Sequence, residues 1–195
     1  MPELPEVETV VRSIASKIIG NKIKSIHVFW DKTLANHSQN SINKSLINNE
    51  IQSVSRSGKY IILKLDSNYL VIHLRMTGKL IFLSPNQNTK LIHLRFNMLF
   101  IDNSSLNFTD IRKFGRMELR DSLKFLEDKL GPEPMSTELT ISYLNQKLKS
   151  RTGPIKSSLL NQSIIAGLGN IYTDEILWEI KVHPKTPANA LNFDI

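Results

Sequence analysis

The stretch from residue 50 to residue 119 most constrains the fold, because its apolar residues mostly recur at every second position. Alternation of this kind is typical of half-buried β-strands. Turn-forming pairs such as Ser57-Gly58 and Thr77-Gly78 interrupt it at short intervals. The predicted strands are Ile51–Arg56, Lys59–Leu65, Leu70–Met76, Lys79–Leu83, Leu91–Phe96, Leu106–Phe108 and Arg116–Leu119. Short strands at this spacing predict an antiparallel sandwich or flattened barrel.

Helical and strand patterns precede this stretch. Apolar residues recur at helical spacing from about Leu4 to Ile19, and Gly20 then provides a stop signal. The alternation in Lys22–Trp30 predicts a further strand. Residues 33–49 are rich in Asn and Ser, and we predict a loop there with a short helical turn around residues 45–48.

The run Gly131-Pro132-Glu133-Pro134 ends the strand pattern and predicts a domain boundary. After it the periodicity is helical, with predicted helices from Ser136, as the cap, to Lys149, at 155–162 and at 170–181. In the last helix we expect four residues to face inward, namely Ile171, Ile176, Leu177 and Ile180. The predicted class is α+β, with an N-terminal helix and antiparallel β-sandwich domain in residues 1–131 and a helical domain in residues 132–195.

The charge balance favours a polyanionic partner. The 195 residues carry a net charge of +7, and the pI is about 9.6. Nucleic acid or an anionic membrane surface would suit this surplus, although many soluble proteins are simply basic. The absence of cysteine excludes disulfides and cysteine-ligated zinc or iron–sulfur sites within these residues. No apolar run is long enough for a bilayer, and we see no signal peptide, so we expect a cytoplasmic protein.

The first nine residues contain two prolines and three glutamates. If Met1 is removed, Pro2 carries a free secondary amine, which is a nucleophile capable of Schiff-base chemistry, and Glu3 beside it is a candidate general acid or base. The alternative is an ordinary helix start, with Pro5 at an early helical position and acidic residues near the positive end of the helix dipole. These nine residues alone favour the helix start.

Three other stretches carry chemistry. Lys59 lies at a turn before a predicted strand, where a solvated lysine is the simpler interpretation. Residues 73–78 and 110–115 each place cations beside a flexible apolar or aromatic side chain. A protein needs such tips to enter a duplex and hold a displaced base out, although core Met and Phe with surface Arg would give the same pattern.

Gly167-Leu168-Gly169-Asn170 comes just before a predicted helix, where free backbone N–H groups bind phosphate well. It is not a dinucleotide-binding fingerprint, because Tyr172 occupies the sixth position, where glycine or alanine is needed. Lys156, at the start of the preceding helix, is placed to meet the same phosphate.

These stretches occur in one order along the chain: Pro2-Glu3-Leu4-Pro5-Glu6-Val7-Glu8, Gly58-Lys59-Tyr60, His73-Leu74-Arg75-Met76-Thr77-Gly78, Asp110 to Gly115, Leu130-Gly131-Pro132-Glu133-Pro134, Ile155-Lys156 and Gly167 to Tyr172. In that order, and over essentially the whole chain, they closely resemble the bacterial formamidopyrimidine-DNA glycosylases, also called 8-oxoguanine-DNA glycosylases. Leu4 favours this branch over the endonuclease VIII branch, which typically has glycine there.

The resemblance implies a bifunctional glycosylase and abasic-site lyase that excises oxidised purines (8-oxoguanine and formamidopyrimidines) from double-stranded DNA. It implies that Pro2 attacks C1′ of the damaged nucleotide and forms a Schiff base, that Glu3 moves protons at the sugar and the departing base, and that Lys59 donates a proton or contacts the base during strand cleavage. It also implies a helix–two-turn–helix DNA-binding domain and a monomer in the bacterial cytoplasm, associated with the nucleoid. The DNA-binding residues implied by the resemblance are Met76, Arg112 and Phe114, which fill the gap left by the everted base, and Arg151, Lys156 and Asn170, which hold phosphates.

The chain departs from the family pattern at several positions. Leu91 replaces a usual histidine, Ile111 and Lys113 replace a proline and an arginine, and Asn161 replaces an aspartate. The family also continues into a four-cysteine zinc finger whose arginine is assigned to δ-elimination, and these residues contain no such finger, so we expect no cofactor and no metal here. We therefore expect weaker binding and cleavage that stops mainly at β-elimination; the alternative is a catalytically impaired DNA-binding remnant.

Overall fold

The computed structural model describes residues 2–35, 38–87 and 89–191, and in it the predicted alternation forms two four-stranded antiparallel sheets. The strands are β1 (Ile23–Val28), β2 (Ser53–Ser57), β3 (Tyr60–Lys64), β4 (Tyr69–His73), β5 (Lys79–Leu83), β6 (Leu94–Phe100), β7 (Ser105–Thr109) and β8 (Arg116–Arg120). One sheet has the order β1-β6-β7-β5, and the other has the order β2-β3-β4-β8. Every strand pair is antiparallel.

The two sheets share one hydrophobic core with helix α1 (Leu4–Ile18). Residues of α1 at helical spacing, including Val7, Val11 and Ile14, are almost fully buried in it. Gly20 then ends the helix with a backbone φ of +84°, a conformation that glycine adopts without strain. The α1 helix and the sandwich confirm the predicted α+β architecture of this part of the chain.

The prediction of a loop at residues 33–49 is wrong in part. A 3-10 turn (Asp31–Thr33) ends at its first residue, and helix α2 (Gln39–Leu46) lies within it. Ser38 caps α2 by accepting a hydrogen bond from the Ser41 backbone, 3.2 Å away. The Gln39 side chain binds the backbone of β1, accepting from the Val28 N–H at 2.7 Å. This tertiary hydrogen bond and the burial of Leu46 stabilise α2, whose polar sequence does not predict a helix of this length.

The second part of the chain is helical, with α3 (Lys124–Lys129), α4 (Ile141–Leu148), α5 (Ile155–Leu159), α6 (Asn170–Glu179) and a 3-10 turn at Ala188–Ala190. Ser136 is not the cap that we predicted. The helix starts later, and Thr140 caps α4 by accepting from the Tyr143 N–H at 3.1 Å. Among the described residues, no helix combines the length and the apolar character needed to cross a membrane.

The predicted inner face of α6 is correct only for Leu177. The buried positions of α6 are Thr173 and Leu177, which are one turn apart. Ile171, Ile176 and Ile180 are exposed, and Ile171 retains 60% of its accessible surface.

The chain forms two compact units, residues 1–123 and 124–195. The residues around the predicted boundary bind within the second unit, where the Gly131 N–H donates to the Gln162 carbonyl at 2.9 Å and the Ala166 N–H donates to the Pro132 carbonyl at 3.0 Å. The units therefore divide a little before the break at 131, and the two domains that we assigned from sequence stay a prediction.

Phe108, in β7, lies beneath two glycine-containing turns of the first unit. A Cβ atom at Gly78 would lie 2.4 Å from the Leu74 carbonyl oxygen and 2.8 Å from the Phe108 ring. A Cβ atom at Gly115 would lie 2.2 Å from the same ring. Both turns therefore pack so close to the Phe108 ring that a residue with a Cβ atom would collide with it.

We predict that Gly78→Ala lowers the free energy of unfolding of the first unit by about 1–3 kcal/mol, the usual cost of overpacking. Each unit contains one tryptophan, Trp30 or Trp178, so urea titrations with variants that keep only one of them report each unit separately. Gly153→Ala is the control in the second unit, because a Cβ atom there meets nothing within 4 Å. Equal stability of the Gly78→Ala and parent first units would contradict the close packing described here.

Candidate active site and nucleic-acid interface

The N-terminus of α1 holds the candidate nucleophile and acid beside a buried turn. Glu3 is the N-cap residue of α1 and is 2% exposed, and Pro2 before it is half-buried. Glu3 and Glu6 form a capping box, in which the Glu3 N–H donates to the Glu6 carboxylate at 2.8 Å. The helix start and the candidate chemical site are therefore the same structure, since the cap orients the residues that carry the chemistry.

Lys59 is buried, although it lies at the turn between β2 and β3. Only 5% of its surface is exposed, so the solvated turn lysine that the sequence favours locally is not what the structure contains. Burial lowers the pKa of Lys59, and the charge of the Glu3 carboxylate opposes part of that shift. The two side chains are thus electrostatically coupled, and a lysine with a lowered pKa is better suited to proton transfer near neutral pH.

An ion-pair network ties α1 to the turn that carries Lys59. Glu8 on α1 accepts from Arg12 at 2.8 Å and from Arg56 of β2 at 3.0 Å, and Arg56 also donates to the Gly58 carbonyl at 3.0 Å. The hydrogen bonds from Arg12 and Arg56 lower the pKa of Glu8. The network therefore joins α1 to the strand and turn that immediately precede Lys59.

Sequence reasoning did not single out Arg56, because an arginine next to a turn is usually exposed. The only local signal for it was its position three residues before Lys59, just ahead of the Gly58-Lys59-Tyr60 stretch that resembles the family.

The three candidate base-displacing residues come together from two loops of the first unit. Met76 is in the loop between β4 and β5, and Arg112 and Phe114 are in the loop between β7 and β8. The Arg112 guanidinium donates to the Met76 sulfur at 3.0 Å, and its central carbon lies 4.8 Å from the centroid of the Phe114 ring. All three side chains are exposed, which gives a protruding cluster of one cation and two apolar groups that we call the wedge.

The wedge loops contain strained backbone. Arg75 and Lys113 have φ values of +54° and +59°, in the left-handed region that residues other than glycine rarely adopt. The Arg75 N–H donates to Nδ1 of His73 at 3.0 Å, and the His73 ring meets the Tyr60 ring edge-on at 4.7 Å. Lys113 keeps the positive charge of the family arginine that it replaces. Its ammonium lies 4.3 Å from the centroid of the Trp30 ring.

In the second unit, Lys156 lies beside the first half of α6. Its ammonium contacts the Asp174 carboxylate at 2.7 Å, and Asn170 is one turn before Asp174 on the same helix. Lys156 therefore contacts α6 one helical turn from Asn170, and the phosphate site itself stays a prediction. The acidic partner Asp174 was not predicted.

Gln162 shapes the glycine loop before α6. Its side-chain oxygen accepts from the Gly167 N–H at 3.0 Å, and its amide group donates to the Leu160 and Leu168 carbonyls at 2.9 Å each. Gly167 has a φ of +93°, so a residue with a side chain would be strained there.

Asn161 replaces the usual aspartate of the family. Its side-chain oxygen accepts from the Ser163 N–H at 3.0 Å, a hydrogen bond that an aspartate could also accept, so the replacement leaves the turn intact.

Arg151 stands apart from these two residues. It follows α4, where its guanidinium donates to the Lys147 carbonyl at 3.2 Å. Within the described residues, no hydrogen bond or ion pair joins Arg151 to Lys156 or Asn170. The described residues also contain no group of three or more His, Cys, Asp or Glu side chains arranged to hold a metal ion.

Comparison with known proteins covers nearly the whole chain. Residues 1–117 match the formamidopyrimidine-DNA glycosylase N-terminal domain, and residues 130–194 match the formamidopyrimidine-DNA glycosylase H2TH domain. A formamidopyrimidine-DNA glycosylase from Ligilactobacillus salivarius is 43% identical over 196 residues, covering 98% of this chain and 70% of the relative.

Solved structures give the same result. The chain is similar to the Lactococcus lactis Fpg in complex with DNA containing an abasic site, with a TM-score of 0.90, 38% identity, and coverage of 98% of this chain and 71% of that one. A complex of the same bacterium's protein with DNA containing FAPY-dG gives a TM-score of 0.90 at 38% identity, covering 98% of this chain and 73% of that one.

We predict that Glu3→Gln lowers the pKa of Lys59 further, because it removes the negative charge that favours the protonated amine while burial is unchanged. A pH titration of ε-¹³C-labelled lysines by NMR measures this directly. Glu127→Gln, an exposed residue of the other unit, is the control and should leave the titration of Lys59 unchanged. A Lys59 pKa that is the same or higher in Glu3→Gln would show that the two groups are not coupled.

Proposed function

The chain belongs to the formamidopyrimidine-DNA glycosylase family, and from that membership we propose that it excises oxidised purines, 8-oxoguanine and formamidopyrimidines, from duplex DNA and then cleaves the strand at the abasic site. Glycosylase activity on DNA is the function of the family. The observation that most supports the finer proposal is the coupled, buried pair of Glu3 and Lys59 at the helix start that carries Pro2.

The first chemical step is attack by the Pro2 nitrogen on C1′ of the damaged nucleotide. The C1′–N bond to the base breaks as the new C1′–N bond forms, and the base leaves after gaining a proton. The Pro2 nitrogen loses its proton, the C1′–O4′ bond then breaks as O4′ takes up a proton, and the product is an iminium between Pro2 and the opened sugar. Because a secondary amine forms this cation directly, no desolvated lysine is required as the nucleophile. Attack requires loss of Met1, since an internal proline has no free amine.

The buried carboxylate and ammonium move the protons in these steps. Glu3 protonates the opening sugar and stabilises the positive charge that develops at C1′. In the following β-elimination the Glu3 carboxylate takes a proton from C2′, the C3′–O bond breaks, and the 3′ phosphate departs. The lowered pKa of Lys59 allows it to donate a proton to the departing groups and to be reprotonated at moderate pH.

The wedge supplies access to the sugar carbon. A stacked duplex hides C1′, so the damaged nucleotide must rotate out of the helix. Met76, Arg112 and Phe114, which contact one another through Arg112, fill the gap that the nucleotide leaves.

The second unit holds the DNA backbone. The N-terminus of α6 presents Asn170 and backbone N–H groups to a phosphate, and Lys156 adds a positive charge beside them. Arg151 makes a separate phosphate contact. Sequence-independent contacts of this kind fix the register of the protein on the duplex, and the wedge then finds the lesion.

We predict that borohydride traps a covalent adduct between Pro2 and DNA that contains 8-oxoguanine or an abasic site, because reduction converts the iminium into a stable amine. Peptide mass spectrometry should locate the adduct at Pro2. A variant that keeps Met1, or a protein acetylated at its N-terminus, is the control and should not form it. An adduct at a lysine side chain, or full trapping with Met1 in place, would refute Pro2 as the nucleophile.

We predict that DNA binding weakens with salt and that Lys156→Ala makes the slope of log K against log salt shallower by roughly 0.9, the contribution of one phosphate contact. Asp174→Asn should tighten binding, because it removes the carboxylate that pairs with Lys156. In a protein that already carries Lys156→Ala, adding Asp174→Asn should tighten binding less than it does in the parent, because the ammonium that Asp174 pairs with is gone. Fluorescence anisotropy with an abasic-site duplex measures all four proteins. A flat salt response in the parent chain would refute phosphate-dominated binding.

A further inference from the structure

Asp110 is a buried carboxylate between the two wedge loops. It follows β7 directly and is 1% exposed, so its charge requires hydrogen-bond donors to be tolerated. Its Oδ1 accepts from the Thr77 hydroxyl and from the Arg112 N–H at 3.1 Å, and its Oδ2 accepts from the Gly115 N–H at 2.8 Å. The carboxylate therefore binds both the Met76 loop, through Thr77, and the loop that carries Arg112 and Phe114.

The backbone of Asp110 is also fixed. Its N–H donates to the His93 carbonyl at 3.0 Å, and its carbonyl accepts from Nε of Arg95 at 2.8 Å. Below it, the ring of Phe108 packs against the Gly78 and Gly115 turns. Asp110 thus joins the two loops to each other and to the body of the sandwich.

Burial by itself raises the pKa of Asp110, but the hydrogen bonds from Thr77, Gly115, Arg112 and Phe114 together outweigh it, so the pKa lies below its usual value. The carboxylate is therefore charged at neutral pH and accepts from every donor. The left-handed backbone of Lys113, within the same loop, is a conformation that persists only where surrounding bonds hold it.

We propose that Asp110 is a positioning residue for base displacement, because it joins the Met76 loop and the Arg112–Phe114 loop into one wedge before DNA binds. The inference rests on the proposed glycosylase function. Asp110 is too buried to touch DNA, so it acts through the side chains that it positions. With the carboxylate neutralised, each loop moves separately and the three wedge side chains no longer enter the duplex together.

The test compares a substrate that needs the wedge with one that does not. Single-turnover cleavage is measured on an 8-oxoguanine duplex and on a single-stranded oligonucleotide with an abasic site, where no base has to be displaced from a duplex. Asp110→Asn and Thr77→Val should slow the duplex reaction by roughly ten- to a hundredfold, as expected for misplaced positioning groups, and leave the single-strand reaction unchanged. Thr77→Ser, which keeps the hydroxyl, should restore the duplex rate.

A second measurement separates this inference from the proposed function. A 2-aminopurine next to an abasic-site analogue in a duplex brightens when the wedge unstacks it, whether or not cleavage follows. Both variants should reduce this signal, so an inactive parent protein would refute the glycosylase proposal while the fluorescence still decides the role of Asp110. Equal loss on both substrates, or no loss on either, would overturn the positioning role. If Asp110→Asn does not fold, as judged by circular dichroism, the Thr77 pair decides the outcome.

Discussion

The cost of burying charge is the constraint on which the first unit of this protein depends. Glu3, Lys59 and Asp110 are all almost completely buried, and an unpaired charge in such a place would neutralise or destabilise the fold. Each is compensated in a different way: Glu3 caps a helix, Lys59 interacts with Glu3, and Asp110 accepts from backbone N–H groups and a hydroxyl. Each of these buried charges therefore depends on the element of the fold that supplies its partner.

The β-sandwich places these compensated charges at strand ends. Lys59 follows β2, and Asp110 follows β7, so each belongs to a turn rather than to the regular part of a sheet. The turns stay close to the core because Phe108 packs against glycines at Gly78 and Gly115, where a larger residue would collide with the ring. The close packing allows short loops to present exposed side chains, such as Met76 and Phe114, without moving freely.

The second unit uses a different arrangement. Its candidate phosphate site is exposed, and Lys156 is paired with Asp174 at the surface, where an ion pair contributes little to stability. If Lys156 binds a phosphate as proposed, this ion pair competes with it, and loss of the pair costs the fold little. The glycine loop beside it is shaped by three hydrogen bonds of Gln162, which make the start of α6 rigid before any ligand arrives.

The sequence by itself determined the elements whose signal is local. Alternation predicted the antiparallel sheets, the spacing of Val7, Val11 and Ile14 predicted α1, and the order of the motifs identified the family together with Met76, Arg112 and Phe114 as neighbours. Only the tertiary structure decided what depends on distant residues. Helix α2 needed the backbone of β1, and the inner face of α6 depended on its packing partners. The burial of Lys59 and the roles of Arg56 and Asp110 depended on groups far along the chain. Periodicity reports which face of an element is apolar, whereas the desolvation and pairing of a charge depend on which other elements surround it.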